Sequence, residues 1–197
     1  MTYDRRGFLS LTGTAVGALW LAAKPELVGA SLARAAAARR ADAADLPPPP
    51  YEVLTLEQAT ELEAIAGRIL PTDDLPGARE ARVIHFLDHG LATWAADQRA
   101  ATLDGLAHFT DSLRQRYPDV QSFSQLPTVR QDEFLRANQD GDFFQSMLFF
   151  TQAGVFSHPD WGGNYDKAGW RILGFDDRYA WQPPFGWYDA KENGGPN

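Results

Sequence analysis

Cysteine is missing from all 197 residues, which excludes disulfides, thiolate metal centres, iron–sulfur ligation and covalent c-type haem on this chain. Basic charge is also in short supply. The chain carries 18 Lys+Arg against 26 Asp+Glu, a net charge of −8. Phosphate neutralisation needs a basic surplus, so no nucleic-acid partner is expected. No stretch sustains the apolar/polar alternation of a strand, and no internal repeat is found. The sequence holds no Gly-x-Ser-x-Gly elbow, no P-loop and no Gly-x-Gly-x-x-Gly after a strand. Nothing in it looks built to hold flavin, nicotinamide or ATP, so no cofactor is expected on this chain. What remains is 44% hydrophobic and 12% aromatic, the composition of an ordinary globular domain.

The N-terminus reads as an address. Arg5 and Arg6, followed by Phe8 and Leu9, form a twin-arginine export signal. The apolar run behind them, Phe8 to Ala23, is 16 residues diluted by Ser, Thr and Gly, short of the roughly 20 apolar residues of a membrane span. Ala-x-Ala triplets at Ala33-Arg34-Ala35 and Ala41-Asp42-Ala43 offer cleavage sites. Residues 1–43 are thus expected to be signal and cleavage region, and 44–50, with Pro47 to Pro50, a stiff polyproline linker. Residues 51–197 are expected to form the folded helical domain. Removing 1–43 takes away six Lys/Arg and three Asp/Glu, which leaves a net charge of −11.

The body is expected to be all-α, a compact bundle of about five to six helices. Thr55 and Gln58 form a capping box ahead of an apolar face of Leu62, Ile65, Ala66, Ile69 and Leu70, and Pro71 ends that helix. After the turn Pro71 to Gly77, a second helix is expected from about Ala78 to Ala95, with Val83, Phe86, Leu87 and Leu91 inward. A third spans Asp97 to Tyr117 with Leu103, Leu106, Phe109 and Leu113 inward. A fourth opens at Leu126-Pro127 with Phe134 and Leu135 as core, and a fifth runs from Asp142 to Phe156. The fifth is apolar on several sides, so it lies centrally or against a partner. A short helix around Lys167 to Leu173 follows the loop HPDWGGNYD. The remaining tail is irregular and rich in aromatic residues and proline.

Three features compete as a site. His85 and His89 are four apart on a helix with Asp88 beside them, a spacing that lets both imidazoles face one metal. Spacing fixes no third ligand, and the bland reading is a polar helix face. The Trp161-Gly162-Gly163-Asn164 turn reads either as a structural cap or as a loop presenting Trp161, Tyr165 and Trp170 to another protein. The tail, with Trp181, Phe185 and Trp187, reads either as a strap over its own core or as a partner-docking segment. Phe149 and Phe150 of the fifth helix join the candidate interface. Asp73-Asp74 and Asp176-Asp177 fall in turns, where Asp bonds nearby backbone.

Two blocks carry a resemblance. The stretch Ile69-Leu70-Pro71-Thr72-Asp73-Asp74-Leu75-Pro76-Gly77-Ala78, with Glu80-Ala81 and Asp88, resembles the gluconate 2-dehydrogenase subunit 3 family. The block His158-Pro159-Asp160-Trp161-Gly162-Gly163-Asn164, with Gly169-Trp170 and Gly174-Phe175, resembles that family's C-terminal signature, with Trp161 where Tyr is more usual. The resemblance implies a small, non-catalytic, cofactor-free subunit of a membrane-associated dehydrogenase acting on sugars, sugar acids or alcohols. Its expected partners are an FAD-dependent large subunit of the glucose–methanol–choline type, a multihaem cytochrome c in many complexes, and the twin-arginine translocase. It implies help with the flavoprotein's maturation and export, and a periplasmic location at the inner membrane through the complex. No catalytic residue is carried over. The competing readings are an exported metal-dependent enzyme using His85 and His89, and a stand-alone periplasmic binding protein.

Overall fold

The computed structural model of the protein describes residues 50–175 and 177. Among these, all regular structure is helical, with six α-helices, four one-turn 3-10 segments and no strand. None of the described helices is long and apolar enough to cross a membrane.

Helix α1 is Leu56–Ile69. Its capping box forms as the sequence predicts: Gln58 N–H donates to Thr55 Oγ1 at 3.2 Å, and Thr55 N–H donates to Gln58 Oε1 at 2.9 Å. Leu62, Ile65 and Ala66 are buried, and the helix stops at Leu70 ahead of Pro71. The turn that follows is closed by Asp73, whose carboxylate accepts from Leu75 N–H at 2.8 Å. Gly77 is needed there because a Cβ would fall 2.7 Å from the Leu70 carbonyl oxygen and 2.6 Å from Thr72 N.

Helix α2 is Val83–Ala92, shorter than the expected Ala78–Ala95 at both ends. Ala78–Arg82 instead turns back on itself, with Ala78 N–H donating to the Leu70 carbonyl and Arg82 N–H to that of Arg79. Arg82 then takes a left-handed conformation, φ 50°, which bars the helix from extending upstream. At the other end Thr93 leaves helical geometry, and Trp94 folds into the core between Phe86 and Phe150, with ring centroids at 5.6 and 5.9 Å. The helix therefore ends because the core requires Trp94, a tertiary demand that periodicity does not register.

Helix α3 is Arg99–Arg116, entered through a 3-10 turn over Ala96–Gln98 where the sequence suggested helix from Asp97. The Arg99 guanidinium donates twice to the Leu91 carbonyl, at 2.9 and 2.8 Å, and so caps the end of α2. Helix α4 is Thr128–Ala137, directly after Pro127, and buries Phe134 and Leu135 as predicted. Helix α5 is Asp142–Phe156, the predicted bounds, and packs on α1, α2 and α3. It is the central helix, and Met147, Phe150, Thr151 and Val155 on it are wholly buried. A short α6, Ala168–Leu173, packs on α5.

Candidate functional site

The two sequence blocks, separated along the chain, meet in space. After Ser157 the chain makes a 3-10 turn over Pro159–Trp161 and reverses at Gly162, φ 90°. Gly163 lies flat on α5, where a Cβ would collide with the Gly154 carbonyl oxygen. Asn164 is then completely buried in a left-handed conformation, φ 48°. Its backbone N–H donates to the Gly154 carbonyl at 2.7 Å and its Nδ2 to the Ser157 carbonyl at 2.8 Å. Asn164 Oδ1 accepts from Gly169 N–H at 2.8 Å, so one amide ties α5, the loop and α6 together. Asn is suited to both tasks, since it tolerates left-handed backbone and both donates and accepts.

Contact with the first block follows at once. Tyr165 N–H donates to the Ala81 carbonyl at 3.2 Å, and the Arg82 guanidinium lies 3.5 Å above the Tyr165 ring. Gly169 sits flush on the Val155 carbonyl with no room for a Cβ. Trp170 Nε1 donates to the Phe156 carbonyl at 3.2 Å. Between the loop and α6 lies a groove of about 850 Å³ lined by His158, Pro159, Asp160, Trp170 and neighbouring residues. His158 packs edge-on to Trp170 at 5.5 Å, with its Nδ1 3.4 Å from Asp160 Oδ2.

The histidines of α2 point to different work. His85 stacks on Tyr51, centroids 5.1 Å apart and planes 21° apart. His89 Nδ1 is 3.0 Å from Glu52 Oε1. Between them, Asp88 is buried and accepts three backbone N–H groups, from Glu52 at 2.6 Å, Val53 at 3.1 Å and Leu54 at 2.9 Å. His85, Asp88 and His89 thus clasp the segment ahead of α1. Burial, then the nearby Glu63 and Asp88 carboxylates, pushes the Tyr51 phenol above its ordinary pKa. Among the described residues no three or more His, Asp or Glu side chains gather as a metal site.

Two further carboxylates belong to this framework and were not singled out from the sequence. Glu61 is buried on α1 and accepts from Phe123 N–H at 2.6 Å and Ser124 N–H at 3.3 Å. Its signal was legible: it lies four residues before Ile65, on the apolar stripe, where a lone charge needs a partner. Glu80 accepts from Thr72 Oγ1 at 2.5 Å and Gly77 N–H at 2.8 Å. The Thr72 hydrogen bond chiefly holds the Glu80 carboxyl below its usual pKa.

The candidate interface residues differ in burial. Phe150 is wholly buried against Trp94, because the face of α5 that carries it meets the core, while Phe149 beside it is 36% exposed. Gly163 and Asn164 are buried too and build the loop from within; Trp161, Tyr165 and Trp170 are half-buried, and Gly162 is partly exposed. Trp181, Phe185 and Trp187 lie outside the described residues, as do the signal residues Arg5, Arg6, Phe8 and Leu9 and the linker up to Pro49.

The family described as gluconate 2-dehydrogenase subunit 3 matches residues 56–176. That span contains both blocks and the contacts between them. The chain belongs to this family. As a subunit 3 protein it is of the kind that serves as an accessory subunit of a dehydrogenase complex. No curated protein and no solved structure matches the chain. Within subunit 3, the two sequence blocks are adjoining parts of one buried hydrogen-bonded framework.

Proposed function

We propose that this subunit 3 protein is the non-catalytic small subunit of an FAD-dependent dehydrogenase of the glucose–methanol–choline type, acting on a sugar, sugar acid or alcohol. It assists maturation of the flavoprotein and carries it through the twin-arginine pathway to the periplasm, where the complex associates with the inner membrane and with a multihaem cytochrome c. In this reading FAD belongs to the large subunit alone.

One observation supports the reading beyond family membership. The buried polar side chains of the two blocks are spent on the protein's own backbone: Asp88 on three amides, Asn164 on two backbone groups. Catalytic groups are instead expected to converge, titratable, on a cleft. A framework so committed is suited to presenting a shaped surface to a partner. The partly exposed aromatics Phe149, Trp161 and Trp170 are its anchors in this proposal.

The test is co-purification of the tagged chain from its native cell envelope, with an absorbance spectrum and mass spectrometry. A flavin-bearing partner near equal stoichiometry is expected. A lone, colourless protein overturns the proposal. Replacing Arg5 and Arg6 with Lys should strand the dehydrogenase activity in the cytoplasm, and unchanged periplasmic activity would remove the export role. Phe149→Asp should release the flavoprotein without unfolding the small subunit.

A further inference from the structure

The loop that runs into α6 holds three residues with side chains in left-handed backbone: Asn164 at φ 48°, Asp166 at 51° and Lys167 at 56°. Glycine takes that conformation freely, whereas the Cβ of any other residue strains it. At Asn164 the strain is offset by buried hydrogen bonds to Gly154, Ser157 and Gly169. Asp166 and Lys167 have no such compensation. Both are exposed, and their side chains meet only solvated partners, Arg171 at 2.8 Å and Asp177 at 2.9 Å, with all four side chains 41% to 74% open. Ion pairs so exposed add little to a fold. For the stability of the chain alone, glycine would serve better at both positions. Strained backbone that the monomer's own packing does not explain points to side chains needed by something outside it.

Asp166 and Lys167 both line the groove of about 850 Å³ between the loop and α6, with half-buried Trp170 and Tyr165 and the carboxylates of Asp160 and Asp177. Three carboxylates there face one ammonium and the His158 imidazole. The aromatic side chains suit a cation as well, and the Tyr165 ring already carries the Arg82 guanidinium at 3.5 Å. We propose that this groove receives a basic segment of the flavoprotein, whose arginine or lysine side chain lies against Trp170 and pairs with Asp166 and Asp177. The inference rests on the accessory-subunit reading above and adds to it the charge of the partner's contact. Asp166 is the strained acid that meets the incoming cation, and Lys167 steers the Asp177 carboxylate onto the groove wall. Because both internal ion pairs are solvated, a cation from the partner exchanges with them at little cost.

Two measurements test this, with the full chain and the flavin-bearing protein that it captures from the envelope. The melting temperature of the full chain should be unchanged, or raised by up to about 4 °C, in Asp166→Gly and in Lys167→Gly. A lower melting temperature in either variant shows that the side chain holds the fold, and overturns the proposal. The dissociation constant of the complex should rise about tenfold in Asp166→Gly and about a hundredfold in Asp166→Lys/Asp177→Lys, and the second effect should shrink as salt is added. Asp119→Lys, a charge reversal on the exposed turn after α3, should change it by less than about twofold. Groove variants that bind as tightly as the parent overturn the groove and leave the accessory subunit standing. An equal loss in Asp119→Lys also overturns it, because overall charge would then account for the attraction. If the unaltered chain captures no flavoprotein, the accessory-subunit reading fails and this inference fails with it.

Discussion

Asp88 offers the sharpest test of how this fold is held. It is 3% exposed, and its two oxygens accept three backbone N–H groups of the segment ahead of α1. Bonds to a charged acceptor contribute roughly 1.5–3 kcal/mol each when buried. Three such bonds set a nominal ceiling of about 9 kcal/mol, by the same per-bond range. The segment can relieve part of that loss by peeling away and rehydrating Glu52 and Val53, which are only partly buried. Leu54 is the exception, since its amide and side chain are both buried. Asp88→Ala should therefore cost about 3–5 kcal/mol, about 1–3 of it for the Leu54 amide left buried without its acceptor and the rest for the bonds to Glu52 and Val53. Asp88→Asn keeps the oxygen that serves Val53 and Leu54 but turns an NH₂ toward the Glu52 amide, and should cost about 2 kcal/mol. Urea unfolding gives both numbers from the midpoint, with the slope as a check that the same surface is exposed. Amide exchange should accelerate first at Glu52–Leu54. An Asn variant within 0.5 kcal/mol of the parent, with those amides still protected, would refute the clasp.

Other substitutions test other parts of the framework. Gly169→Ala should lose 3 kcal/mol or more in thermal unfolding, because its Cβ meets the backbone carbonyl of Val155, which cannot swing aside. Gly174→Ala, where nothing lies within 4 Å, should lose only about 1 kcal/mol, the cost of left-handed backbone alone. Glu61→Ala should destabilise by about 2–4 kcal/mol, since it leaves the Phe123 amide buried without its acceptor. Glu80 has a lowered folded pKa, so its stabilisation is complete above the ordinary Glu value and is lost as pH falls through the lower folded value. Glu80→Gln should flatten the acid limb of a stability–pH curve measured below about pH 4, and only slightly, because the group is largely solvated.

Local chemistry made much of the fold legible. The capping box at Thr55, the stop at Pro71 and the span of α5 depend on residues within a few positions of one another. Legibility failed where a distant residue decides. Helix α2 starts at Val83 because Arg82 reaches the Tyr165 ring and the Ala81 carbonyl serves Tyr165 N–H, contacts across more than 80 positions. Asp88 looked like a companion to two histidines, yet its partners lie 34 to 36 residues upstream. Phe149 and Phe150 are alike in sequence, and only the packing of α5 separates a surface ring from a core ring. The Gly-Gly-Asn turn was visible as a turn. Its cause, close backbone contact with α5, was not.

A chain without cysteine still needs to join parts that are far apart along its length. Here two carboxylates act as the rivets. Asp88 reaches back 34 to 36 residues, and Glu61 reaches forward 62 and 63. Closing loops of that size costs chain entropy that a secreted domain often offsets with disulfides. These joints ask for no oxidant, isomerase or particular thiol balance. They contain no thiol, so the redox state of the surroundings neither makes nor breaks them.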